Sequence, residues 1–388
     1  MLIKNTKAIL SVGFRPFFLL AGLSSVVFLL IWSGFIGHGV FPQNYFSPIA
    51  WHAHEMLFGY GAAVLAGFLL TAVKNWTGLR TAEGVKLAML ALVWLMGRLV
   101  PFTNELISAE LIALVELAFI PLLIIYLAIP IWRQNKLRNW PVIGLLLCMF
   151  VANLFFHLDT LGLTTVGTGQ LSYLVVGVML VFISIIAGRV LPFFIRAGSP
   201  GSQPVVWPAV EWICVFSMVG LMVLKPFFYG SLSFIVCSLI AIVSHTLRIT
   251  CWYGKAAVKV PLLWVLFAGY AWMILGLVLD LLSVFNIVPP QLALHSMTAG
   301  AIGVLTLGMM SRVALGHTGR AIKANKIIIL TFLILNLAVV FRVLVPLVFP
   351  MFYQLCLGIS SLLWVSAFLL FVIYYTPILI HQRIDGKN

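Results

Sequence analysis

The sequence predicts an all-α, polytopic integral membrane protein with about twelve transmembrane helices. Hydrophobic residues make up 63% of the 388 residues and charged residues only 8%, a balance that soluble globular domains do not reach. A membrane-spanning helix needs about 20 mostly apolar residues. Runs of that length recur between short polar or Pro- and Gly-containing breaks. Their length predicts helices and excludes spanning strands, which need only about 10 residues.

The apolar runs follow one another along the chain, and we expect residues 1–388 to form a single transmembrane domain. The second run starts after Ser47, which can cap a helix, at Pro48, which suits a first turn. The tenth starts at Pro289 and Pro290. The predicted spans are approximately 17–36, 50–73, 85–102, 107–131, 140–157, 170–195, 206–223, 228–246, 261–283, 289–312, 326–345 and 351–379.

The positions of the basic residues predict the orientation. Lys and Arg number 23 against 9 Asp and Glu. With a cytoplasmic N-terminus, all of these basic residues except Arg98, Lys225 and Arg342 fall on the inner side. The positive-inside rule therefore places both termini in the cytoplasm. The net charge of +14 is a topology signal, and we expect no nucleic-acid partner.

Several function classes lack their motifs. The five cysteines form neither a C-x-x-C pair nor a C-x-x-C-H motif, so any haem would be bound non-covalently. The sequence also has no Walker A motif and no His-Glu-x-x-His zinc helix, which leaves NTPase and metallohydrolase functions without support.

Ionisable residues gather in the outer half of the predicted bundle. His52, His54 and Glu55 lie near the outer end of the second span, and His295 lies in the outer part of the tenth. Buried charges need partners at the same depth, so this clustering predicts one polar site that opens outward. Its other members by depth are His157, Asp159, Asp280, Glu105, Glu110, Arg98 and Arg342. Glu116 lies deeper, either as a proton-conducting carboxylate or as a helix-packing hydrogen bond.

His52 and His54 are expected to serve different ligands, because residues two apart on a helix point about 200° away from each other. His54 shares its face with Phe58 and glycine, which suits a flat haem, and His295 is the candidate partner from another span. His52, Glu55 and Met56 offer ligands that suit copper. The predicted metal ligands are therefore His52, His54 and His295.

The two outer arginines have two readings. Arg98 and Arg342 each precede a proline, as expected where arginine reaches the interface and the helix ends. Alternatively, both arginines pair with carboxylates such as haem propionates.

The lone His38, His157 and His245 are typical of helix-to-helix hydrogen bonds. His317 lies on a cytoplasmic turn, where it is structural or gates a second site.

Several short segments of the chain form a recognisable set: Gly13–Phe18, Trp51–Met56 through Gly59, Ala66–Ala72, Gly188–Arg189 with Pro192–Phe194, and His295–Arg320. Together these segments resemble the NnrS family of bacterial haem- and copper-containing membrane proteins. The resemblance implies a multi-pass protein of the bacterial inner membrane that protects cells against nitric oxide and is often associated with denitrification.

The resemblance and the polar residues lead to one functional hypothesis. Haem and copper would act on nitric oxide at the outward site and reduce it to nitrous oxide. Glu55 and Asp280 are the catalytic candidates for proton handling, and Arg98 and Arg342 the candidates for cofactor binding. Nitric oxide and membrane lipids are the expected partners, with a quinol as candidate electron donor.

Two alternatives stay open at this point. The first is a non-catalytic protein that binds nitric oxide and protects the cell by sequestering it. The second is a permease for a metal or another small molecule, since transporters also use intramembrane His and Glu.

Overall fold

The structure, a computed structural model, describes residues 8–135, 137–199, 201–255 and 257–386. Twelve helices in these ranges are long and apolar enough to cross a membrane, and the same ranges contain no strand. The predicted all-α fold of a polytopic membrane protein is therefore confirmed. We number these helices α1 Phe14–His38, α2 Pro48–Thr77, α3 Val85–Thr103, α4 Ala109–Arg133, α5 Leu137–Thr160, α6 Thr168–Gly198, α7 Pro208–Phe227, α8 Leu232–Trp252, α9 Pro261–Val284, α10 Pro290–His317, α11 Lys326–Val348 and α12 Pro350–Ile380.

The helix ends differ most from prediction in α8, which was predicted over 228–246 and runs from Leu232 to Trp252. Its start is set by Ser231, whose hydroxyl accepts a hydrogen bond from the Phe234 amide at 3.2 Å. Its C-terminal end continues past His245, and Arg248 in this extension is buried and paired with Glu211. A prediction from hydropathy ends a span before the first charged residue. In the structure, a charged residue that is paired can lie inside the helix.

Three of the helices contain a π-helical segment, which the sequence did not predict. The segments are Glu55–Gly61 in α2, Ser296–Gly303 in α10 and Val340–Leu344 in α11. The first begins directly after His54 and the second directly after His295, while Arg342 lies within the third. Such wide turns are rare and occur often at functional sites, so the backbone itself marks these three positions.

The chain divides into two compact units. The first comprises the described residues of Met1–Val175, Val313–Arg320 and Phe371–Asn388, and the second comprises those of Val176–Arg312 and Ala321–Leu370. The expectation of a single transmembrane domain and the cytoplasmic placement of both termini stay predictions.

Within the second unit, α6 and α7 approach each other closely at Gly177. A Cβ atom at this position would lie 2.8 Å from the backbone Cα of Met222, a distance that only movement of a helix can relieve. Gly144 in α5 is a contrasting helical glycine, since a Cβ there would meet nothing within 4 Å.

We expect Gly177→Ala to destabilise the protein by about 1–3 kcal/mol, the usual effect of overpacking a tight contact. Gly144→Ala is the matched control and should leave stability unchanged or slightly raised, because alanine is the better helix former. Thermal unfolding in detergent, followed by circular dichroism, measures both. Equal midpoints for the two variants would contradict the close approach of α6 and α7.

Candidate metal centre

Three potential metal ligands converge in the first unit. They are His54 on α2, Glu116 on α4 and His157 on α5, each at most 3% exposed. One nitrogen from each imidazole and one oxygen of the carboxylate all lie within 4.8 Å of one another. Among the described residues this is the group of His, Cys, Asp and Glu side chains close enough to hold one ion.

His54 is held by oxygen atoms on both sides of its ring. Nδ1 donates to Glu55 Oε1 at 3.2 Å, and Nε2 lies 3.1 Å from Asn153 Oδ1 and 3.6 Å from Glu116 Oε1. A carboxylate on the far nitrogen of an imidazole is the usual means of orienting a metal-binding histidine. Nε2 is therefore the atom directed toward Glu116, where a bound ion would replace the proton that faces Asn153.

His157 approaches Glu116 from the other side. Its Nε2 lies 2.9 Å from Glu116 Oε2, and its Nδ1 lies 3.4 Å from the Tyr45 hydroxyl. Burial, reinforced by the charges of Glu110 and Glu116, raises the pKa of Tyr45 above its usual range. The hydroxyl thus stays neutral and can hydrogen-bond to the imidazole.

Arg98 neutralises part of the negative charge. Its Nη2 donates to Glu116 Oε1, and its Nε lies 3.3 Å from Glu55 Oε2. Asn153 Nδ2 adds a hydrogen bond of 2.6 Å to Glu116 Oε2. Glu55 and Glu116 carry two negative charges and Arg98 carries one positive charge, so one negative charge remains. A second proton on His54 or a metal cation can balance it.

Two glycines make room for these contacts. A Cβ at Gly59 would lie 2.8 Å from Glu55 Oε2 and 3.1 Å from Arg98 Nη1, and one at Gly97 would lie 3.3 Å from Glu116 Cγ. Gly59 therefore admits the ion pair. The sequence suggested that glycine on this side of α2 makes room for a haem. In the structure, the side chains of Arg98 and Glu55 occupy the space beside Gly59.

The surroundings of His54 fit a single ion better than a haem. The rings of Phe46, Phe58 and Phe156 have their centroids 4.5, 4.9 and 5.3 Å from the centroid of the His54 ring. With both nitrogens engaged as well, a macrocycle at His54 would require this packing to open. Two imidazoles and one carboxylate, by contrast, are ligands that iron, copper and zinc accept.

The structure places the other predicted residues elsewhere. His52 does not belong to this group, and its ring stacks on Trp32 at 4.2 Å and 10°. In the second unit, Asp280 Oδ1 lies 2.5 Å from Lys225 Nζ, and His295 contacts Arg342. The joint ligation of one haem by His54 and His295 stays a prediction, as do the ligand role of His52 and the catalytic role of Asp280.

The sequence did not show that Glu116 and His157 complete the group around His54. The sequence leaves Glu116 open between proton conduction and helix packing, favours a helix-to-helix hydrogen bond for His157, and gives no signal for Asn153 or Tyr45. A usable signal existed, because His54, Glu116 and His157 all lie within about 12 Å, at 1.5 Å per residue, of the helix ends that the sequence predicts to be outside. Depth alone, however, does not reveal which helices are neighbours.

The comparison with protein families identifies the family of this chain. The sequence model of the NnrS family, described as NnrS protein, matches residues 8–383. The chain belongs to the NnrS family. Membership points to a role in the nitric oxide response and to metal or haem binding. A comparison with curated proteins found no match.

In this NnrS protein, Glu116→Gln should lower the free energy of unfolding by about 3 kcal/mol, because it leaves Arg98 and two histidines buried with one carboxylate fewer. Glu110→Gln, on the exposed first turn of the same helix, is the matched control and should have no measurable effect. Denaturant unfolding in detergent gives both values. Equal stability of the two variants would show that Glu116 is not the centre of a buried network.

Proposed function

We propose that the protein binds a redox-active metal ion, copper or iron, between His54, Glu116 and His157 and reduces nitric oxide there to nitrous oxide. The observation that carries this proposal is the convergence of two imidazole Nε2 atoms on one buried carboxylate. Both imidazoles also have their Nδ1 atoms held by a second partner, as in preorganised metal sites. Membership in the NnrS family supplies the link to nitric oxide.

The reaction is balanced as two molecules of nitric oxide, two electrons and two protons giving one nitrous oxide and one water. A bound redox metal supplies the site at which nitric oxide accepts electrons. A quinol in the membrane is the class of donor that we propose for them. Nitric oxide is small, neutral and lipid-soluble, so it can reach a buried intramembrane site without a transport pathway.

The surrounding residues orient the ligands and hold protons. Glu55 fixes the Nδ1 proton of His54, and Arg98 keeps Glu55 and Glu116 together. Tyr45 lies in the connection between α1 and α2 and contacts His157 Nδ1, which gives protons a route from this connection to the buried group. Glu55 is our leading proton-handling residue, and Asp280 is a further candidate in the second unit. We propose the bacterial inner membrane as the location.

Metal analysis of the purified protein tests the binding step. His54→Ala, Glu116→Gln and His157→Ala should each lose most of the bound copper or iron, whereas His38→Ala, at an exposed position, should retain it. Full metal content in all three ligand variants would remove the proposed site.

Metal affinity should also fall as the pH is lowered. Both nitrogens of His54 face oxygen acceptors, so an ion at Nε2 must replace a proton there, and acid favours the proton. Titration of the metal-free protein at several pH values between about 5 and 8 measures this dependence, with the range set by the ordinary pKa of histidine. An affinity that does not change with pH would contradict ligation by His54.

Turnover separates the candidate functions. Anaerobic incubation with nitric oxide and a quinol analogue should produce nitrous oxide, and production should stop in His157→Ala. Stable binding of nitric oxide without nitrous oxide would favour a sequestering protein. Counterflow of a metal in liposomes would favour a permease.

A further inference from the structure

Arg312 on α10 is a buried arginine whose charge is not balanced by an acid. Its side chain is 4% exposed, and its Nε is enclosed without a hydrogen-bond partner. The ion pairs formed among the described residues do not include it. A guanidinium keeps its charge and five N–H donors at any physiological pH, so its burial without an acceptor is costly.

The second unit has no spare acid that could serve Arg312. The ranges Val176–Arg312 and Ala321–Leu370 contain two acidic residues, Glu211 and Asp280. Glu211 forms a two-point ion pair with Arg248, and Asp280 Oδ1 lies 2.5 Å from Lys225 Nζ. Because both carboxylates are engaged, a counterion for Arg312 must come from outside this unit.

An aromatic ring covers one face of the Arg312 guanidinium. Its central carbon lies 3.9 Å from the centre of the Phe194 ring, the geometry of a cation–π contact. The ring contributes no oxygen, so it supplies no acceptor for the N–H groups, which lie in the plane of the guanidinium. A guanidinium covered on its face presents its edge to an oxyanion, which it binds through two parallel hydrogen bonds.

Both residues lie near the helix ends that the sequence predicts to be cytoplasmic. Phe194 is four residues from the end of α6 at Gly198, and Arg312 is five residues from the end of α10 at His317. At 1.5 Å per residue these positions are about 6 and 8 Å below the helix ends.

The lengths of the two helices set the depth of this point in a membrane. α6 has 31 residues and α10 has 28, which correspond to about 42–46 Å at 1.5 Å per residue. A bilayer is about 40–45 Å thick with its headgroups and about 30 Å thick without them. Arg312 therefore lies where the hydrocarbon meets the headgroups, at the level that lipid phosphates occupy and that a long basic side chain can reach.

The end of α6 beside Phe194 is accessible and basic. Phe193 is 59% exposed, and Arg196 is exposed one turn before the helix ends. Basic residues at this level attract the anionic lipids of a membrane surface. Phe194 and Arg312 also belong to two of the segments that stand out in the sequence, Pro192–Phe194 and His295–Arg320, and neither residue takes part in the metal centre.

We propose that Arg312 and Phe194 form a binding site for a phosphate group, whose oxygens accept hydrogen bonds from the open edge of the guanidinium. The depth of the site favours the phosphate of an anionic phospholipid, and inorganic phosphate has the same chemistry. The bound group supplies both the acceptor and the negative charge that the second unit lacks. The inference goes beyond the proposed function and does not depend on it.

Lipid titration of the full-length protein, delipidated in a neutral detergent, tests the inference, with the thermal unfolding midpoint as readout. Phosphatidylglycerol should raise the midpoint at concentrations at least about tenfold lower than phosphatidylcholine, whose choline cancels the phosphate charge. Inorganic phosphate is the third probe. A response to phosphatidylglycerol alone identifies a lipid site, whereas an equal response to inorganic phosphate identifies a site for free phosphate.

Arginine variants show whether the response belongs to this site. Arg312→Gln should remove the preference of about tenfold for phosphatidylglycerol. Arg196→Gln, which removes an exposed arginine from the same end of α6, is the matched control and should keep it. Arg312→Lys should keep part of it, because the charge remains without the planar fork.

Two results would overturn the phosphate site. The first is an equal response of the unaltered protein to phosphatidylglycerol and phosphatidylcholine with no response to inorganic phosphate, whatever the stability of the variants. The second is a preference for phosphatidylglycerol that Arg312→Gln retains in full. Neither result affects the metal analysis or the test of nitric oxide turnover, which concern residues of the first unit.

Discussion

The structure of the first unit depends on the burial of one carboxylate, that of Glu116. An ionised group in a low-dielectric interior is tolerated only when its charge and all of its acceptor positions are satisfied. Glu116 meets this condition through Arg98, His54, His157 and Asn153. These partners lie on α2, α3 and α5. The need to pair one buried carboxylate on α4 therefore constrains how four helices pack together.

The second unit buries arginines, whose positive charges must also be satisfied, and it does so in more than one way. Arg248, 1% exposed, forms a two-point ion pair with Glu211 and hydrogen bonds to Ser184 Oγ at 3.2 Å and Tyr270 Oη at 3.3 Å. Arg312 instead places its guanidinium 3.9 Å from the centre of the Phe194 ring. Buried cations are thus either paired with acid or placed over an aromatic face, and Arg342, whose guanidinium carbon lies 5.7 Å from the centre of the Tyr353 ring, belongs to the second class.

Backbone geometry is as important as side-chain chemistry at these positions. Glu55, the first residue of the π segment after His54, contacts His54 and Arg98. Helical periodicity of 3.6 residues predicts instead that Glu55 shares a face with His52. Gly59 completes the arrangement, because a side chain there would occupy the position of the ion pair.

The sequence by itself determined the all-α membrane fold, the twelve spans and the family. These follow from composition and from the lengths of apolar runs, which are local properties, and from motifs such as Trp51–Met56. It also pointed to His54 and Glu55, which the structure places in contact in the buried group. Only the tertiary structure decided that Glu116 and His157, rather than His52, complete the group around His54. The reason is physical: hydropathy gives each residue a depth in the membrane, but the neighbours of a helix depend on packing between segments far apart in the chain.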